Sequence, residues 1–187
     1  MAIINFLADV NEQNVQELLQ QVNFCLSIGE KQIEINIVSR GGKIQQGIIA
    51  YDTLVKNRDF ITVNNLGITD SAAVMIFCSG KVRKCNPNAT FLLHSTFVPD
   101  IIAKQFDEDK MSRNLKNVQL INFAMSRILA TTTNDNKTVF LDMIDKSTEL
   151  TAFQAQAHNL VNSINSTLEK AVLKGNINIL DSSIKIH

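Results

Sequence analysis

The sequence predicts a layered α/β fold, with a parallel sheet built from strand–helix–strand crossovers. Three observations carry that prediction. Short Ile- and Val-rich runs alternate with stretches of helical apolar periodicity through the first half of the chain. Apolar residues make up 45% of the composition, enough to fill a core and far from a disordered chain. A length of 187 residues suits one domain, with at most a small appendage.

The elements follow in order. Ile3–Leu7 reads as a short apolar strand. From Asn11 to Ile28, Val15, Leu18, Leu19, Val22 and Leu26 recur at helical spacing, and Gly29 stops the helix. Gln32–Val38 alternates with period two and is rich in Ile, which predicts a strand. After Ser39-Arg40-Gly41-Gly42, a second helix places Ile44, Gly47, Ile48, Tyr51, Leu54 and Val55 on one face. Phe60–Val63 is the next strand, Gly67–Asp70 a turn, Ser71–Ser79 a helix and Thr90–His94 a further strand. The tail from Lys174 to His187 reads as a final strand or an extended strap.

The middle of the chain differs. From about Ile102 to Leu129, Phe106, Met111, Leu115, Val118, Ile121, Met125 and Ile128 recur at three- to four-residue spacing. One helix of that length spans roughly 40 Å, beyond a domain whose radius of gyration is about 16 Å. Its apolar stripe then needs a partner outside the domain, so assembly is expected through it. Two shorter helices, broken near Asp107–Asp109, would fit the same pattern.

Charge and cysteine content exclude several classes. Lys+Arg and Asp+Glu are 18 each, and this balance leaves no electrostatic footprint for nucleic acid or an anionic membrane. No run of 18 apolar residues predicts a membrane span. The first residues lack the basic start of a signal or transit peptide. Cys25, Cys78 and Cys85 form no C-x-x-C pair and are odd in number, which points to a reducing cytoplasm.

Two strand-to-helix junctions are candidates for chemistry: Gly41-Gly42 and Ser71. Helix N-termini offer unpaired N–H groups, and glycines let a backbone approach a substrate closely. With both junctions at one sheet edge, two such donors converge beside the Ser71 hydroxyl, and His94 can act as its base. Each piece also has a plain reading: Ser71 as a helix cap, Gly41-Gly42 as a turn, His94 as a hydrogen-bonded core residue. No G-x-S-x-G elbow surrounds Ser71.

The order of these blocks resembles the ClpP family, the proteolytic subunits of Clp proteases. The resemblance rests on Ile35–Gly42 followed by Gly47-Ile-Ile-Ala-Tyr51-Asp52-Thr53, on Gly67-Ile-Thr-Asp-Ser71-Ala-Ala-Val-Met-Ile-Phe, and on Asn86-Pro87-Asn88 leading to His94. It runs from about Ile3 to Ile164. It implies a ClpP/crotonase-like layered fold of repeated β-β-α-type units in a single domain. The head would comprise about 1–97 and 138–187, with a handle helix of about 102–130 used in assembly. Ser71 takes the nucleophile's place, His94 the general base's, and Gly42 and Ala72 the two oxyanion-hole amides. The implied reaction is peptide-bond hydrolysis through an acyl-enzyme, with no metal or organic cofactor. The implied partners are peptide or unfolded-protein substrates, further copies in a heptameric or double-heptameric ring, and a Clp-type ATPase.

The chain departs from the family pattern in four places. Arg40 replaces a proline, and Met143 occupies the triad aspartate's position between Asp142 and Asp145, either of which could serve. Ser95–Ile102 replaces a Gly-Gly segment, and the chain begins almost at its first strand, without the family's pore-lining segment. An alternative expectation is a non-catalytic ring subunit that keeps the fold. An acyl-CoA enzyme of the related crotonase fold would use a similar oxyanion hole without the Ser-His pair.

Overall fold

The protein is described by a computed structural model over residues 1–96, 108–165 and 177–180. The first four elements form where periodicity places them: β1 (Ala2–Leu7), α1 (Glu12–Ser27), β2 (Ile33–Ser39) and α2 (Ile44–Leu54). Asn11 caps α1 by accepting the Asn14 N–H at 2.9 Å, and Gly29 turns the chain beyond it at φ 86°. A 3-10 turn over Val55–Phe60 then leads into β3 (Ile61–Asp70).

β3 corrects an expectation, because Gly67–Asp70 continues the strand instead of turning. Its first part pairs in parallel with β4 (Val82–Cys85), up to Asn65 against Cys85. Its last part pairs in parallel with β5 (Thr90–Leu93), from Ile68 against Thr90 to Asp70 against Leu92. Gly67 lies at the changeover between the two partners. Extension of β3 carries the chain to the sheet edge where α3 (Ala72–Cys78) begins.

The rest comprises α4 (Glu108–Thr133), α5 (Lys137–Asp145), β6 (Thr148–Thr151), α6 (Ala152–Ala157), β7 (Ser163–Ile164) and β8 (Ile177–Leu180). The sheet runs β6-β5-β3-β2-β1-β8, with β4 branching from β3 and β7 pairing with β4, and among the described residues only the β5–β6 pair is antiparallel. Parallel crossovers bury the sheet on both faces. That explains why Asn36 is as buried as Ile35 and Ile37. Its neutralisation is local. Asn5 donates to Asn178, Asn36 to Asn5 and Asn64 to Asn36, at 2.7–2.8 Å, in a ladder across four strands. A slip of one residue would break every rung, so the ladder fixes register as well as satisfying the amides.

α4 is one unbroken helix from Glu108 to Thr133, four residues past the expected end. The expected part over 102–107, most of the segment after His94 and most of the tail lie outside the described residues. Met125, Ile128 and Leu129 join the core, whereas Met111, Leu115, Leu120 and Phe123 are exposed. Buried Arg83 fastens the end of α4 to the head, donating to the carbonyls of Leu160, Gly80, Asn159 and Thr132. Among the described residues, no helix is long and apolar enough to cross a membrane.

Candidate active site

Ser71 stands at the junction of β3 and α3 with φ 54° and ψ −120°. A non-glycine residue there is strained by about 1–3 kcal/mol and persists only where its surroundings impose it. The backbone imposes it here: the Ser71 N–H donates to the Leu92 carbonyl at 2.8 Å, and its carbonyl accepts the Val74 N–H at 3.0 Å. The hydroxyl makes no capping bond, so the plain reading of Ser71 as a helix cap does not hold.

The room for this sharp turn comes from other segments. A Cβ on Gly41 would lie 2.8 Å from the Ser71 Cβ and 2.7 Å from the Asp70 carbonyl oxygen. A Cβ on Gly47 would drive into the Ala72 carbonyl oxygen. The structure therefore has the elbow conformation without the G-x-S-x-G pattern. The glycines that make room for it, Gly41 and Gly47, lie across the turn and not beside Ser71 in sequence.

Gly41 and Gly42 both hold positive φ, at 91° and 140°. Val10 anchors them: its N–H donates to the Gly41 carbonyl and its carbonyl accepts from Lys43, both at 2.7 Å. Those two bonds flank Gly42 and turn its own N–H away from Val10. The Ala72 N–H, at the first position of α3, lies beyond the reach of intrahelical bonding. Gly41 also lies against Ser71, so the glycine segment and the serine elbow meet at one sheet edge.

The β3–β5 register ends with Asp70 level with Leu92, and the Ser71 N–H donates to the Leu92 carbonyl, two residues before His94. His94 is half-buried, and its Nδ1 lies 2.8 Å from the Ser95 carbonyl oxygen. A carbonyl only accepts, so Nδ1 carries the proton and the neutral ring has its free lone pair on Nε2. Among the described residues, the ring makes no hydrogen bond to Ser71 or to a carboxylate. Met143 packs against the core, and exposed Asp142 pairs with Lys146 at 2.8 Å. Asp145, the last residue of α5, accepts from Asn122 at 3.3 Å.

Two polar residues at this site escaped the sequence reading. Asp70 precedes Ser71 and accepts the Leu92 N–H at 3.0 Å. Burial pushes its carboxyl above the ordinary value, with Glu149 acting in the same sense. The Leu92 N–H, His94 and Arg40 oppose that rise. Asn122 is buried on α4 and contacts both Ser95 and Asp145. Its sequence signal was an amide at i, i+3 and i+7 spacing with Met125 and Leu129, on the face that packs inward. Cys78 and Cys85 do not compete as nucleophiles, because both are buried and burial pushes their thiols up to about 11.

A strained serine at a strand-to-helix junction thus lies against a glycine pair, at the edge of a mostly parallel sheet whose next strand ends just before a histidine. Family comparison gives that arrangement a class. The Clp protease family model matches residues 1–167, and the chain belongs to this family. It is 26% identical over 161 residues to the ATP-dependent Clp protease proteolytic subunit 3 of Rhizobium johnstonii, covering 83% of this chain and 79% of that one. Identity to the corresponding proteolytic subunit of Dehalococcoides mccartyi is also 26%, over 165 residues, with 87% and 80% covered. A mutant of ClpP1 from Listeria monocytogenes shares the ClpP/crotonase-like fold, with TM-score 0.74 at 19% identity over 89% of this chain and 92% of that one.

Proposed function

We propose that this Clp-family protein hydrolyses peptide bonds through an acyl-enzyme on Ser71. The observation that carries the reading is the strained Ser71 elbow, bonded through its N–H to Leu92 on the strand that leads to His94. Ser71 Oγ attacks the scissile carbonyl carbon while His94 Nε2 takes its proton. The N–H groups of Gly42 and Ala72 stabilise the tetrahedral oxyanion. As the C–N bond breaks, the imidazolium returns the proton to the leaving amine. Water, deprotonated by the same nitrogen, then releases the acyl group and regenerates Ser71.

The exposed Leu115, Leu120 and Phe123 of α4 support assembly with further copies of the chain, in a ring as the family resemblance implies. In this reading the substrate is an extended or unfolded polypeptide, delivered by a Clp-type ATPase in the cytoplasm. Light scattering at micromolar concentration should show an oligomer, and a clean monomer would remove the assembly claim.

A second reading is a non-catalytic ring subunit, favoured by the absence of a carboxylate on His94 among the described residues. A fluorophosphonate probe separates the two. Peptidase function requires stoichiometric labelling that disappears in Ser71→Ala. A folded, assembled protein that stays unlabelled supports the non-catalytic reading.

A further inference from the structure

We infer that Asn122 on α4 is a positioning residue for His94, linking it indirectly to the Asp145 carboxylate. This inference rests on the role proposed above for His94. The Asn122 Nδ2 donates to Ser95 Oγ at 2.9 Å and to Asp145 Oδ1 at 3.3 Å, while its Oδ1 accepts the Thr96 N–H at 3.4 Å. The amide orientation is forced, because the Thr96 N–H can only donate and an ionised Asp145 can only accept.

Ser95 is thus held through its hydroxyl, and its carbonyl holds His94 Nδ1 at 2.8 Å. The sequence of contacts is carboxylate, amide, serine, imidazole. A direct aspartate would fix the tautomer of the base by touching Nδ1. Here the Ser95 carbonyl does so, and the buried Asn122 side chain keeps that carbonyl in place. Asp145 fixes the amide in turn. α4 would therefore be more than an assembly element, since this residue lies between exposed Leu120 and Phe123 and grips Ser95, the residue next to His94.

The test follows two readouts across variants of the full-length chain: the pH-dependent rate of fluorophosphonate labelling and the 15N spectrum of the His94 ring. Asn122→Ala should slow labelling on the order of 10–100-fold, as for groups that orient a histidine from one contact away. Its His94 spectrum should change from the pure Nδ1–H tautomer to a mixture. Asn122→Asp and Asp145→Asn should each show a loss. Their combination should recover to within about threefold of wild type, because an aspartate at 122 accepts from Ser95, Thr96 and an asparagine at 145.

Labelling within about twofold of wild type and an unchanged ring spectrum in Asn122→Ala would overturn the inference. So would a folded double variant no better than either single one. If Asn122→Ala does not fold, Ser95→Ala removes only the gripped hydroxyl and must reproduce the tautomer mixture, or the inference fails. Failure of the peptidase reading looks different: wild type stays unlabelled, while the ring spectrum still reports whether Asn122 sets the tautomer.

Discussion

The two sides of the site are held by different means. At Ser71 the constraint is backbone: hydrogen bonds to Leu92 and Val74, with Gly41 and Gly47 pressed against the turn. Behind it, every residue of α3 is at 0% exposure, so the elbow cannot relax by moving its helix. At His94 the contact is the Ser95 carbonyl, and Ser95 is itself held by a side-chain network in which Asn122 donates to the Ser95 hydroxyl and to Asp145. One side is rigid because nothing larger fits. The other is ordered only while a polar network stays satisfied. Steric damage should therefore appear first as lost stability at Ser71 and polar damage first as lost function at His94.

The largest effect expected is from Gly47→Ala. The new Cβ meets the Ala72 carbonyl, which is backbone and cannot rotate away. Overpacking costs about 1–3 kcal/mol or more, and the helix-propensity gain of about 1 kcal/mol offsets only part. A net loss of about 2 kcal/mol lowers the melting temperature by roughly 4–8 °C in a chain of this size. Labelling of Ser71 should fall with it. A melting temperature equal to wild type would mean that the elbow yields, and the contrast between the two sides would be lost.

Next comes the strain itself. Ser71→Ala removes the hydroxyl but keeps a Cβ at φ 54°, whereas Ser71→Gly removes both. Ser71→Gly should be more stable than Ser71→Ala by about 1–3 kcal/mol less the entropy cost of glycine, although both are inactive. Calorimetry of the two variants measures the difference. Glycine no more stable than alanine would place the strain elsewhere.

What was legible in the sequence divides along the same line. The strands and helices from β1 to α3, β5, most of α4 and the position of Ser71 follow from local periodicity, because each buried face is written into consecutive residues, whereas α5, β6, α6 and β7 went unread. The conformation of Ser71 does not, because Gly41 and Gly47 reach it through space and the familiar glycine pattern beside the serine is missing. β3 was cut short because Gly67 reads as a turn, whereas its neighbours change partner from β4 to β5 there. β4 was missed because Arg83 and Lys84 interrupt an apolar run, and burial of Arg83 depends on carbonyls of Thr132, Asn159 and Leu160, far along the chain. Asp145 was weighed as a direct partner of His94. Its link to Asn122 depends on the packing of α4 against α5, which no local pattern encodes.

The smallest effect concerns Asp70, which lies between the two sides: it precedes Ser71 and accepts the Leu92 N–H on the strand that leads to His94. Burial is the largest influence on its carboxyl and raises it above the unfolded value. The folded state then binds this proton more tightly than the unfolded state. Stability from the group is complete below the unfolded value, near ~3.9, and is lost as pH rises through the folded value. At neutral pH the ionised carboxylate is therefore a net cost, reduced by solvent because the group is only half-buried. Asp70→Asn removes the charge and keeps an oxygen that can accept from Leu92. The variant should melt slightly above wild type at pH 7, with the gap closing as pH falls below the unfolded value. A lower melting temperature at pH 7 would show that the charged hydrogen bond from the Leu92 N–H, with the nearby charges that act in the same sense, outweighs burial. Asp70 would then belong with the polar network that holds His94, not with the sterically fixed elbow that holds Ser71.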